Sequence, residues 1–273
     1  MAVSIPDTLT IETSERYILS IRITPDGFSF SGSIPSKSSS FFYKRITFER
    51  SKDYATSLKE AFFEEECLTW SYEKIKIFCF TPNYIFTPDE YYREDKKEEL
   101  FQYTFFSSSK KTLSTPIDPD SGKLLYEIDP EVYSFLSRSF INPEFIHHMA
   151  LPLKNWKQQS ALSFSGQMYV LLNNKTVDIT CFRHGQPIFL NSFDYSTPED
   201  ILYFVSCIWK QAELDQLKDH LYIFGNADYK KDLMNNIRQY IHYVSEIELP
   251  ADVYLRNPEI KQAPYDIILS VCE

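Results

Sequence analysis

Glycine is scarce in this chain of 273 residues: six in all. A nucleotide site built on two glycine-rich phosphate loops would use about that many by itself, so such a site is not expected in its usual form. Positive charge is also short. Lys and Arg number 28 against 38 Asp and Glu, a net charge of -10, which argues against a broad nucleic-acid surface because affinity for phosphate backbones depends on neutralising them with cations. The opening MAVSIPDTLT has neither a basic segment nor an apolar run, and no stretch is long enough to span a bilayer. These absences point to a cytoplasmic chain with no membrane insertion. The five cysteines, Cys67, Cys79, Cys181, Cys207 and Cys272, are odd in number and scattered, which suits small hydrophobes in a reducing compartment rather than a disulfide framework.

What is present is enough apolar surface, 43% of residues, for one large core or two smaller ones. The clearest stretch runs from Gln167 to Gly225. Tyr169 to Leu172 is apolar on both faces, as in an interior strand. Val177, Ile179 and Cys181 alternate with Asp178, Thr180 and Phe182, and His184-Gly185 makes a tight turn into Pro187 to Leu190. Thr197-Pro198-Glu199-Asp200 is a helix start. Ile201, Leu202, Val205, Ile208, Trp209 and Ala212 then follow on one face. A strand from Leu221 to Phe224, a helix carrying Leu233, Ile237 and Ile241, and a strand from Tyr243 complete the order βββαβαβ.

The first half repeats that order, and a repeat of this kind sets the fold. Arg16 to Ile23, Phe28 to Gly32 and Phe41 to Phe48 read as strands, with a polar loop at Pro35 to Ser40. Ser51 or Asp53 opens a helix, and Lys74 to Phe80 is the next strand. The region 82–125 is inserted: a charged helix from Asp95 to Tyr103, then a Ser-, Lys-, Pro- and Asp-rich loop from Ser107 to Gly122. Asp129-Pro130 starts another helix, and Phe145 to Leu153 reads as the last strand. Lys154 to Ser160 is the boundary candidate, giving halves of 1–157 and 158–273. The fold class is α/β, with two tandem halves, each a mixed five-stranded sheet with flanking helices.

Several small constellations carry little. Cys181 and His184 have a metal-like spacing with no second pair to answer them. His147 and His148 sit on an expected strand, where neighbours point to opposite faces. Ser163-Phe164-Ser165-Gly166 lacks the glycines of a nucleophile elbow. The 22 Phe and 19 Tyr belong mostly to the core, while Phe41-Phe42-Tyr43 and Tyr91-Tyr92 place neighbours on opposite sides of an element. An exposed Tyr there would suit a protein-binding face.

Two copies of this order resemble the actin-like ATPase superfamily, a duplicated ribonuclease H-like fold. At closer range the chain resembles the bacterial domain-of-unknown-function family 3822. The residues that carry the resemblance are Asn83 to Pro88 with Tyr91-Tyr92, the strand end Leu221 to Gly225, and the closing Tyr265 to Leu269 with Cys272-Glu273. The resemblance implies an acidic residue and glycines at the first hairpin of each half, where backbone amides approach phosphates and a carboxylate holds a metal-bound water. Here the first hairpin, Ser20 to Gly27, has one glycine, and its Asp26 lies in the turn. The second, Leu171 to Asp178, has leucine and asparagine in those places. The adenosine-contacting glycine pair falls at Gly225 and Asn226, half kept. The candidate cofactor-binding residues are therefore Asn173, Asn174, Lys175, Thr176, Gly225 and Asn226, with Asp178 or Asp194 as a cation ligand. The plainer alternative is a simple hairpin turn with Asp178 a solvated strand residue. The expectation is an inactive actin-like scaffold with an unknown protein partner and no cofactor. The alternative is a nucleotide-binding protein or weak ATPase using ATP with Mg.

Overall fold

A computed structural model of the chain describes residues 5–35, 37–49, 52–106, 110–118, 121–225, 227–247, 249, 253 and 258–272. The contacts divide it into two units, Met1–Leu151 with Pro250–Glu273, and Pro152–Leu249.

In the first unit, β1 (Ile18–Thr24), β2 (Gly27–Ile34) and β3 (Lys37–Thr47) form an antiparallel meander. The stretch expected as a loop up to Ser40 is thus already strand from Lys37. Helix α1 (Tyr54–Glu64) follows; the Asp53 carboxylate accepts from Thr56 N over 3.0 Å and caps it. Then β4 (Lys74–Cys79) pairs parallel to β1. After the inserted segment, α3 (Pro130–Ser139), capped by Asp129, leads to β8 (Glu144–His147), parallel to β4. The sheet order is β3-β2-β1-β4-β8.

The inserted segment corrects one expectation. Lys111–Asp118 is strand β6, paired with β7 (Gly122–Ile128), which also pairs with β5 (Tyr84–Thr87). Helix α2 (Lys97–Phe105) contributes the fully buried Phe101. The Ser, Thr and Pro content of KTLSTPID imitates a loop, but Leu113 pairs opposite Tyr126 and Thr115 opposite Leu124. Part of the expected loop, Ser107 to Ser109 with Pro119 and Asp120, lies outside the described residues.

A second correction concerns Phe145 to Leu153. The strand stops at His147, and α4 (Ala150–Ala161) begins three residues later. The boundary candidate at Lys154 to Ser160 lies inside this helix. Because the strand ends at His147, His148 does not alternate away from it, and the two rings pack with centroids 4.4 Å apart.

The second unit repeats the pattern: β9 (Gln167–Leu172), β10 (Thr176–Arg183), β11 (Gln186–Asp194), α5 (Pro198–Gln211), β12 (His220–Phe224), α6 (Lys230–Ile237) and β13 (Tyr243–Glu246), in the order β11-β10-β9-β12-β13. The β10–β11 turn has His184 and Gly185 at φ 51° and 76°, the left-handed pair that a two-residue hairpin needs. Asp200 reaches back to accept Ser196 N and Thr197 N, each over 2.9 Å, and caps α5.

Each sheet buries one face against apolar helices. In the second unit Met168, Val170, Val177, Ile179 and Leu221 meet Ile201, Val205 and Ile208 of α5 and Leu233 and Ile237 of α6. On the other face the fully buried Trp156 of α4 stacks on Tyr169, with centroids 4.8 Å apart and planes within 10°. In the first unit the corresponding face is polar: Ser20, Arg22, Ser29, Ser31 and Lys76 are all buried. Its cover is α7 (Tyr265–Cys272), whose Asp266 and Ser270 meet Arg22 and Lys76.

Candidate functional site

In an open sheet with parallel strands, ligands bind beyond the strands' carboxyl ends. In each unit that end carries the first hairpin tip, so each tip is described by itself.

The tip of the first unit is the β1–β2 turn at Pro25-Asp26. Gly27 has φ 148°, and a Cβ there would lie 2.1 Å from the Ile46 carbonyl oxygen, so glycine is required by the approach of β3. The Asp26 carboxylate accepts from Thr24 Oγ1 over 2.9 Å and from Arg45 Nη2 over 2.7 Å. Its partial burial acts to raise its pKa, but the Thr24 hydrogen bond and the Arg45 charge outweigh that and hold it below the ordinary carboxylate value. Tyr54 donates from its hydroxyl to the Gly27 carbonyl over 2.9 Å. This carboxylate is therefore engaged by a cation of its own chain. One pleat back along β1 stands Arg22, a cation in a buried ion pair with Asp266.

The tip of the second unit brings most of the candidate residues together. Asn173 N donates to the Thr176 carbonyl over 2.9 Å, leaving Asn174 and Lys175 exposed as the two turn residues. Asn173 to Thr176 thus form a hairpin turn. Asp178, however, is not solvated: it is 1% exposed and accepts from Asn173 Nδ2 over 2.8 Å and from Ser192 Oγ. Its burial follows from its position opposite Leu171 and Ser192 in the middle strand of the meander. Asp194 is exposed at the end of β11.

Two tyrosines that the sequence does not single out close the tip. Tyr195 N donates to the Lys175 carbonyl over 3.1 Å, and the Tyr195 hydroxyl donates to the Asn173 carbonyl over 2.6 Å. With its one proton spent there, Tyr195 accepts from the Tyr229 hydroxyl 2.5 Å away. Burial and this hydrogen bond both push the Tyr229 phenol up, as expected of a donor held away from water. Neither tyrosine has a spacing that could have flagged it; only the fold brings positions 173, 195 and 229 together.

Gly225 follows β12 at φ 136°, and a Cβ there would stand 2.6 Å from the Leu172 carbonyl oxygen and 2.7 Å from Leu172 Cβ. The glycine thus serves close packing against the last residue of β9. Asn226, the other half of the pair, lies outside the described residues. Thr176 is buried at the first position of β10. Among the described residues no group of three or more His, Cys, Asp or Glu could hold a metal ion.

Residues 6–244 match the family described as "Protein of unknown function (DUF3822)". No curated protein matches the chain. Among solved structures, a Bacteroides thetaiotaomicron VPI-5482 protein with an actin-like ATPase fold and unknown function aligns at a TM-score of 0.83 with 26% identity, over 97% of this chain and 99% of that one. A chain of the PilM–PilN type IV pilus biogenesis complex aligns at a TM-score of 0.52 with 8% identity, over 93% of this chain and 94% of that one. The second likeness is one of fold alone.

Proposed function

The chain belongs to the DUF3822 family and has an actin-like ATPase fold, and from that premise we propose that it is a non-catalytic scaffold that binds a protein partner. One observation carries the reading: Asp178, the candidate cation ligand at the second hairpin tip, is 1% exposed. Asn173 N is bonded within the turn, and Asp178 is held by Asn173 and Ser192. The backbone and side-chain donors of Asn173 and the Asp178 carboxylate are thus spent on the protein itself. The other tip supports the same reading, since Asp26 is neutralised by Arg45.

A nucleic-acid partner does not suit a net charge of -10. No helix among the described residues is long and apolar enough to cross a membrane. The proposed setting is the cytoplasm, with a protein as the bound partner and no nucleotide. A second reading, nucleotide binding or weak ATP hydrolysis with Mg, is favoured by the exposure of Asn174 and Lys175 at the tip. Phosphate release from Mg-ATP separates the two. The scaffold reading expects release no faster than in buffer. Saturable release that disappears in Lys175→Ala would overturn it.

A further inference from the structure

The end of the second unit's sheet remote from the hairpin tip carries exposed apolar side chains on neighbouring loops. Strands β9, β12 and β13 run parallel and side by side, so the loops that enter them, 162–166, 212–219 and 238–242, emerge together. Phe164 is 98% exposed, Leu162 88% and Leu217 72%, with Tyr240 and Tyr243 also exposed beside them. Single exposed hydrophobics are ordinary; a cluster on adjacent loops marks an interaction site.

These loops are held in place. The buried Asp219 accepts from Gly166 N over 2.6 Å and from Asp215 N over 2.7 Å, tying the first loop to the second. His242 N donates to the Gln216 carbonyl over 2.9 Å, tying the second to the third. The His220 ring lies 3.1 Å from Ser165 Oγ at Nδ1 and stacks on Tyr243 with centroids 4.6 Å apart. A frame fixed in this way presents its apolar side chains with little left to order on binding.

Charge selects the occupant. The exposed charges on the three loops are Glu213 and Asp215 against Lys218 and Arg238, which cancel, while the chain as a whole carries -10. Two copies repel over most of their surface and meet without repulsion here; a basic partner would instead choose the acidic remainder. We propose that this end of the second unit is a self-association face, on which a second copy of the chain packs about a two-fold axis and buries Leu162, Phe164 and Leu217 of both copies. The inference is independent of the nucleotide question, because it concerns the opposite end of the sheet.

Sedimentation velocity of the full chain from about 1 to about 100 µM tests it, since self-association responds to concentration by mass action. The expected result is a monomer–dimer equilibrium in the wild type. Phe164→Glu with Leu217→Glu is expected to stay monomeric at every concentration with an unchanged melting point. Tyr103→Glu, at an exposed position on α2, is expected to dimerise as the wild type does. Should the double Glu variant lose its fold, Phe164→Ser with Leu217→Ser makes the same comparison. A wild type that stays monomeric, a folded double variant that dimerises normally, or growth beyond the dimer would each overturn the proposal.

Discussion

Arg22 on β1 donates from Nε to the Asp266 carboxylate of α7 over 2.7 Å, with the two side chains 9% and 1% exposed. The Arg22 guanidinium also lies 4.8 Å from the centre of the Phe80 ring. The other carboxylate oxygen of Asp266, Oδ1, has no hydrogen-bond partner among the described residues. The first unit therefore closes one face of its sheet with a charge pair, where the second uses Trp156 on Tyr169.

Removing one partner leaves a buried charge with nothing to answer it. Asp266→Ala is expected to destabilise the first unit by about 3–5 kcal/mol in urea denaturation, whereas Arg22→Met with Asp266→Leu is expected to recover most of that loss. A single variant within about 1 kcal/mol of wild type would mean the pair is not what holds α7.

Gly225→Ala forces a Cβ to within 2.6 Å of the Leu172 carbonyl oxygen at a φ of 136°. The expected loss is about 1–3 kcal/mol, read as a lower urea midpoint. An unchanged midpoint would show that β9 and β12 can separate there without cost.

His147 receives Met149 N at Nδ1 over 3.3 Å and faces the Thr81 carbonyl from Nε2 over 3.1 Å, which makes it the neutral tautomer with its proton on Nε2. Burial pushes its pKa well below the ordinary 6.5, the neighbouring His148 and the charge of Arg22 add to this, and the Thr81 hydrogen bond opposes it. The unfolded chain takes up a proton near 6.5 that the native state refuses, so stability is full above that pH and falls below it. The slope approaches about 1.4 kcal/mol per pH unit. Asp26, Asp53 and Asp200 have lowered pKa values and act below about pH 4. Urea midpoints between about pH 6.5 and 5 should therefore fall in the wild type and flatten in His147→Gln; equal slopes would contradict this.

The second unit was legible from sequence because its signals agree. Val177, Ile179 and Cys181 alternate, Thr197-Pro198 opens α5, and His184-Gly185 supplies the turn. Strand β6 was not, because Thr, Ser and Pro fill much of KTLSTPID, and Thr112 and Thr115 are buried through pairing with β7 and, for Thr115, through hydrogen bonding to His147 of β8. The start of α4 was missed because a short apolar run such as MALPL suits strand or helix equally. At the candidate site the hairpin and the glycine were visible. Their engagement by Tyr195 and Leu172 was not, since contacts across tens of residues leave no local pattern.

The closed second tip is tested most directly by melting the chain with and without Mg-ATP, because a ligand that binds only the native state must raise the melting point. The account predicts the same melting point at every nucleotide concentration. A rise that grows with Mg-ATP and is absent in Lys175→Ala, which alters an exposed turn residue rather than the packing, would contradict it.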